Sequence, residues 1–127
     1  MKEIQVVAAI IENNGKILAT QRGYGDYKGF YEFPGGKIEA NESKEEALVR
    51  EIQEELNVVI EVGEHLICVE YDYPAFHLKM DCFFSKIVQG NIQLLEHLDA
   101  KWLSKQQYDT VPWLEADIEI IELLKRR

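Results

Sequence analysis

The amino-acid sequence predicts one α/β domain spanning residues 1–127, with strands and helices in mixed order. Three observations predict it: a β-branched run at the start, "IQVVAAIIE"; a capped amphipathic helix just after a glycine-rich segment; and a second amphipathic helix, "EADIEIIELLKRR", at the end. A chain of this length is one domain by ordinary expectation and can bury a proper core. No repeat or low-complexity segment interrupts it.

The first strand and the following "KILATQR" are separated by Asn13, Asn14 and Gly15, a turn signal that predicts a β-hairpin. Residues 23–37 hold five of the eight glycines, one proline and five aromatics (Tyr24, Tyr27, Phe30, Tyr31 and Phe33). That composition predicts a loop with special backbone needs, broken by a short strand around 31–33. The helix after it starts at Ser43, whose spacing to Glu46 is that of a capping box. Leu48, Ile52 and Leu56 recur at i,i+4 and form its apolar face, and Asn57 is a suitable left-handed terminator. "HLICVEYDY" and "FHLKMDCFFSKI" read as two strands joined at Pro74-Ala75, and "DAKWLS" as a short strand. The final helix carries its basic residues in the last turn, where the helix dipole favours them.

Composition narrows the function. Hydrophobic residues are 46% and charged residues 29%, as in a soluble globular protein. A formal net charge of −9 argues against a surface for a nucleic-acid polymer, because phosphate backbones are held by basic patches. A small phosphorylated substrate would need metal ions to offset the repulsion. Cys68 and Cys82 are too few and too far apart for a disulfide scaffold or a zinc knuckle; they read as free thiols in or near the core, with a bridge as the alternative if their strands pair. The N-terminal apolar run is too short to span a bilayer and lacks a signal-peptide layout, so no membrane association and a cytoplasmic location are expected.

The most unusual feature is charge density. From Glu42 to Glu55 there are six glutamates against one lysine and one arginine. Like charges at i,i+4 cost a helix about a few tenths of a kcal/mol each. At about 100° per residue, Glu51, Glu54 and Glu55 share one arc beside the apolar stripe, with Arg50 at its border. Three carboxylates on such a strip make a hard-oxygen site suited to Mg2+ or Mn2+. The plainer alternative is a solvated acidic face with i,i+4 ion pairs.

The spacing of these residues resembles the Nudix box: Gly36, five residues, Glu42, seven residues, Arg50-Glu51-Ile52, one residue, Glu54-Glu55, one residue, then Asn57-Val58. Asn57 stands where that motif has glycine, and both residues tolerate a left-handed cap. The resemblance runs from "VVAAIIENNGKILATQR" to "ADIEIIELL" and is nearest to the MutT-like branch. It implies a Nudix-type α/β/α sandwich, a mixed sheet between helices. It also implies hydrolysis of a nucleoside triphosphate to the monophosphate and pyrophosphate.

By the same resemblance, Glu51, Glu54 and Glu55 would hold divalent cations, Mg2+ or Mn2+, with the backbone carbonyl of Gly35 as a further ligand. Arg50 would orient the carboxylates. Glu96, in "LLEHLDAKWLS", resembles a loop glutamate that some members bring to the metal site; a plain surface acid is the alternative. Glu51, Glu54 and Glu96 are therefore all candidates for the general base. Lys101 precedes Trp102 where some relatives place an acid. Arg22, Glu32, Phe33, Pro34 and Gly35 resemble the segment beside the bound nucleotide, with a buried core ring as the alternative for Phe33 and a strand-end surface charge for Arg22. Asp117 resembles the residue set against the base edge, its rival role being the N-cap of the last helix. Phe76 stands near where the enzyme specific for oxidised guanine nucleotides has an arginine. That departure, with Asp at 117, weakens a strict 8-oxo-dGTP assignment, and a broader preference including CTP or modified dCTP fits about as well. His65, His77 and His97 have no metal-ligand spacing and read as structural or surface residues.

The expected partner is thus a small nucleotide, and the expected state a monomer or homodimer. A diphosphatase for ADP-ribose or a nucleotide sugar is the enzymatic alternative. A silent nucleotide-binding module would be expected to lack the box glutamates that this chain retains.

Overall fold

The computed structural model describes residues 1–127. Its central strand is β1 (Lys2–Asn13), followed by β2 (Lys16–Gln21), β3 (Tyr31–Glu32) and β4 (Gly35–Lys37). Helix α1 (Lys44–Leu56) leads into the long hairpin β5 (Val59–Tyr73) and β6 (Phe76–Gln89). Strand β7 (Asp99–Leu103), a 3-10 helix (Lys105–Thr110) and α2 (Glu115–Lys125) complete the chain. No helix is long and apolar enough to cross a membrane.

Strand order is β3-β2-β1-β6-β5, with β4 also on β1 and β7 on β2. β1 and β6 run parallel over ten residue pairs, from Lys2↔Phe76 to Ile11↔Ser85, while the other pairings are antiparallel. The sheet is therefore mixed, as expected. Covered on both faces, β1 reads as an uninterrupted apolar run rather than an alternating one. Val7, Ala9 and Ile11 face α1, whose Leu48, Ile52 and Leu56 are fully buried against them. Ala8 and Ile10 face the other way, toward Ile120, Ile121 and Leu124 of α2. Each large aliphatic side chain buried in these layers contributes about 1.5–3 kcal/mol.

The local signals in the sequence hold. Ser43 accepts from the Glu46 amide at 3.0 Å, and the Glu46 carboxylate accepts from the Ser43 amide at 2.8 Å. Asn57 ends α1 at φ 55°, and Asn14 and Gly15 take φ 52° and 76° in the first turn. Cys68 lies opposite Asp81, and Cys82 opposite Ile67. Because residues alternate faces along a strand, the two sulfurs sit on opposite sides of the sheet and do not pair.

Three expectations change. The first hairpin is splayed: β1 pairs with β2 only at Glu12↔Ile17 and Asn13↔Lys16, and gives the rest of that edge to β4. β5 starts at Val59, six residues before "HLICVEYDY", because it follows β6 through three register shifts past the unpromising Glu61-Val62-Gly63-Glu64. Gly35-Gly36 is a strand rather than a loop, and neither glycine has positive φ. Close approach is what demands glycine there. A Cβ on Gly35 would run into the Val7 carbonyl, and one on Gly36 into the Glu51 carboxylate.

Candidate active site

Arg50 organises the carboxylates of α1. Its Nε and Nη2 donate to Glu42 at 2.6 and 2.9 Å, a two-pronged charge-assisted contact. Nη1 donates to Glu51 at 2.9 Å and, more loosely, to Glu54 at 3.4 Å, while Nη2 also reaches the Lys37 carbonyl at 3.0 Å. These contacts tie the helix to the β4 end of the sheet. The Arg50 hydrogen bonds, with the Glu39 amide second, hold the Glu42 carboxyl down at about 2. Arg50 thus has the geometry of an orienting residue.

The three box glutamates are graded in depth. Side-chain exposure is 57% for Glu54, 18% for Glu51 and 6% for Glu55. Burial pushes the Glu55 carboxyl well above the usual carboxylate range. A hydrogen bond to Glu51 and the charges of Glu51, Glu32 and Glu96 add to it. As placed, the acids do not converge on one point: Arg50 stands between Glu51 and Glu54, and Glu55 turns inward. The donor set nonetheless fits a divalent cation. It consists of hard oxygens with more negative charge than nearby cations offset, and Gly36 leaves room for the Glu51 carboxylate that any side chain would displace. Glu96 is exposed in the 91–98 loop, within electrostatic reach of Glu55.

On the far side of β4 a cavity of about 180 Å³ opens where β1 parts from β2. Val6, Ala8, Leu78 and Met80 form its apolar floor, and Tyr27, Tyr73 and Phe76 its aromatic wall. Tyr73 and Phe76 stack on each other at 5.2 Å. Arg22 and Glu32 pair across one side at 3.0 Å. Burial works against the Arg22 charge, but the Glu32 ion pair outweighs it and raises the guanidinium.

Asp117 closes this cavity and is 3% exposed. It does not cap α2, whose N-cap is Leu114. Burial, reinforced by the charge of Glu32, pushes its carboxyl far up; the Phe33 amide and Arg22 oppose this only in part. One oxygen, Oδ1, has no hydrogen-bond partner. The position is set through β3, because the Tyr31 amide donates to the Pro112 carbonyl at 2.7 Å and the Leu114 amide to the Tyr31 carbonyl at 2.9 Å.

The structure brings Arg22, Glu32, Gly35, Phe76 and Asp117 to one cavity. Two expected pocket residues differ. The Phe33 ring lines the cavity but is buried and stacks on Trp113 at 4.9 Å, which fits the core reading of that ring. Pro34 is buried outside the cavity lining; its carbonyl accepts from the Ala9 amide at 2.8 Å and sets the register of β4.

Sequence reasoning missed Tyr27, Tyr73 and His97. The aromatic pattern of 23–37 carried a signal for Tyr27, but strand alternation alone does not tell a core Tyr73 from a pocket one. His97, read as structural or surface, has a side chain only 6% exposed, between Glu32 and Glu55. Of the other two, His65 bonds Asp81 at 2.8 Å, and His77 sits between Asp72 and Glu70.

The family model for the NUDIX domain matches residues 1–124. The chain is 39% identical to the CTP pyrophosphohydrolase of Escherichia coli (strain K12) over 123 residues, 96% of this chain and 91% of that one. It is 35% identical to the 8-oxo-dGTP diphosphatase of Haemophilus influenzae over 128 residues, 97% and 92% of the two chains. Among solved structures, the solution structure of the E. coli ORF135 protein superposes with a TM-score of 0.85 at 37% identity, covering 99% of this chain and 91% of that one. The family match over almost the whole chain agrees with the placing of helix, glycine strand and cavity: the chain belongs to the Nudix family of hydrolases.

Proposed function

We propose that this chain hydrolyses nucleoside triphosphates to the monophosphate and pyrophosphate with Mg2+ or Mn2+, accepting CTP or dCTP as well as oxidised purine nucleotides. One observation carries the reading. Gly35 and Gly36 line the aromatic cavity on one side, and Gly36 abuts Glu51 on the other. A nucleotide with its base in the cavity therefore lays its phosphates toward the carboxylate face of α1.

What divalent cations supply when bound is charge on the phosphate oxygens and acidity for the attacking water. Glu51, Glu54 and Glu55, with the Gly35 carbonyl, would hold them, and Arg50 fixes the Glu51 and Glu54 carboxylates in place. A carboxylate among Glu51, Glu54 and Glu96 takes the proton of the water as it attacks phosphorus. Water adds its oxygen to one product, the bridging oxygen leaves with the other, and no redox change occurs.

The base is flanked by Tyr73 and Phe76 and meets Asp117. Burial favours the neutral acid of Asp117, in which a hydroxyl donates while the lone pairs still accept. An ionised carboxylate would only accept. The neutral acid thus pairs with a cytosine amino edge or a purine carbonyl edge, which supports a broad base preference. The names of the relatives, one for CTP and one for 8-oxo-dGTP, agree with it.

The test is turnover of a panel of ribo- and deoxynucleoside triphosphates, 8-oxo-dGTP and ADP-ribose with Mg2+, assaying pyrophosphate and phosphate separately. Pyrophosphate release from CTP and 8-oxo-dGTP is expected. Orthophosphate as the only product, or ADP-ribose as the preferred substrate, would overturn the proposal.

A further inference from the structure

His97 occupies a place that neither packing nor the cation site by itself explains. Its Nε2 lies 3.6 Å from Oε2 of Glu32 and 3.6 Å from Oε1 of Glu55. Glu32 belongs to the wall of the base cavity, where it pairs with Arg22; Glu55 belongs to the carboxylate face of α1. Side-chain exposure is 6% for His97, 16% for Glu32 and 6% for Glu55. One imidazole nitrogen thus faces two acids from two different parts of the site.

The loop that carries His97 is fastened at both ends to the elements it joins. The Gln93 amide donates to the Leu56 carbonyl at 2.9 Å, and the Leu95 amide to the carbonyl of Glu55 itself at 3.1 Å. At the residue immediately after His97 the attachment changes sides: the Leu98 amide donates to the Gln21 carbonyl at 3.0 Å, next to Arg22. Gly23 packs so tightly on this loop that a Cβ there would come within 2.9 Å of the Glu96 carbonyl. His97 is therefore held between the last turn of α1 and the end of β2 by backbone bonds on either side.

The ring nitrogens are not equivalent. Nε2 is the one turned toward the two carboxylates. Nδ1 is buried and has no hydrogen-bond partner. A residue present only to fill space would leave no such orphan, since an apolar side chain of the same shape avoids the desolvation cost.

We infer that His97 is a positioning residue that holds the cation-side carboxylate Glu55 and the pocket-side carboxylate Glu32 in one arrangement, so that cation binding and nucleotide binding both depend on it. This rests on reading Glu55 as a cation ligand. Residues behind metal ligands, orienting them without touching the ion, change metal affinity by about 10–100-fold when replaced.

Mn2+ binding to the free protein, followed by titration calorimetry or by the Mn2+ spin resonance signal, tests the inference apart from turnover. His97→Phe keeps the ring shape without the donor; His97→Gln keeps an N–H donor. The expected result for His97→Phe is Mn2+ affinity about tenfold weaker and a raised KM for CTP, with thermal unfolding close to wild type. His97→Gln should recover most of both losses. Wild-type Mn2+ affinity and KM in His97→Phe would overturn the inference, and so would equal losses in the two variants. If His97→Phe does not fold, His97→Gln against His97→Leu gives the same comparison. Glu55→Gln in the same titration separates the two readings. Unchanged Mn2+ binding there sinks the cation assignment of Glu55 itself. Weakened binding in Glu55→Gln with wild-type binding in His97→Phe sinks only the role of His97.

Discussion

Gly36 lies against the carboxylate of Glu51 so closely that a methyl group on its Cα would overlap the carboxyl carbon and both oxygens. The neighbour that must give way is the far end of a flexible side chain. At Gly35, one residue earlier, the obstruction is the Val7 carbonyl and the Ala8 Cα, which are backbone of the central strand. Two adjacent glycines of the same strand should therefore respond to alanine in opposite ways. Gly36→Ala should keep its stability within about 1 kcal/mol of wild type and lose Mg2+-dependent turnover by roughly tenfold or more, because Glu51 is displaced. Gly35→Ala should cost about 3 kcal/mol of stability through overpacking. Chemical denaturation and initial rates on both variants check this. Full activity in Gly36→Ala would separate Glu51 from the reaction.

Acid should attack the Arg50 hub in a defined window. The Glu42 carboxyl is held at about 2 in the folded chain by its hydrogen bonds with Arg50 and then the Glu39 amide, against an ordinary 4.5 when unfolded. A depressed folded value means that its stabilisation is complete above the unfolded value and is lost as pH falls through the interval from about 4.5 to about 2. Glu42→Gln should flatten that limb of a stability–pH curve relative to wild type. Equal acid slopes for the two proteins between pH 4.5 and 2 would contradict the assignment.

What was legible in the sequence separates by range. Ser43, Glu46 and Asn57 act on backbone groups within a few residues of themselves, so the bounds of α1 could be read from spacing. Leu48, Ile52 and Leu56 needed only the helical period. The same strip placed Glu51, Glu54 and Glu55 together, but not their depths, which depend on what covers the helix end. Glu55 is buried because the 91–98 loop hooks onto its own carbonyl through Leu95. That contact spans forty residues and leaves no periodic trace, and the burial of His97 between Glu32 and Glu55 leaves none either. Gly35-Gly36 carried the expected glycine signal for a different cause. The strand needs no unusual φ; it needs the absence of a Cβ beside Val7 and Glu51. For Asp117 the N-cap role read from its sequence fails because Leu114, bonded to Tyr31 of the distant β3, takes that place.

The β5–β6 hairpin should weaken as pH rises through the raised folded value of His77. His77 is hydrogen-bonded to Asp72 at 2.6 Å and to Glu70 at 2.9 Å. Those bonds, Asp72 first, raise its imidazole above the ordinary 6.5. A raised folded value means a contribution fully present below 6.5 and lost as pH rises through the folded value. Amide hydrogen exchange across 70–79, followed at several pH values, should show protection falling over that interval in wild type and not in His77→Asn. A histidine resonance titrating at or below 6.5 would remove the basis for this expectation.

Asp117 should decide which base edge is preferred. Its Oδ1 is buried and has no hydrogen-bond partner. In the neutral acid the free oxygen can carry the hydroxyl, which donates, while its lone pairs still accept. Asparagine in the same place, with its NH2 in the position of the free oxygen, donates only. Because asparagine has nearly the shape of the acid it replaces, Asp117→Asn should fold as wild type does. A base presenting an amino group, such as cytosine, then loses its acceptor, while a purine carbonyl still finds a donor. The ratio of kcat/KM for CTP to that for 8-oxo-dGTP should fall by roughly tenfold or more, since an unpaired polar group in a site built to bond it costs about 1–3 kcal/mol. Thermal unfolding and the two specificity constants measure both halves of the claim. An unchanged ratio would remove Asp117 from base selection and leave Tyr73 and Phe76 as the residues that face the base.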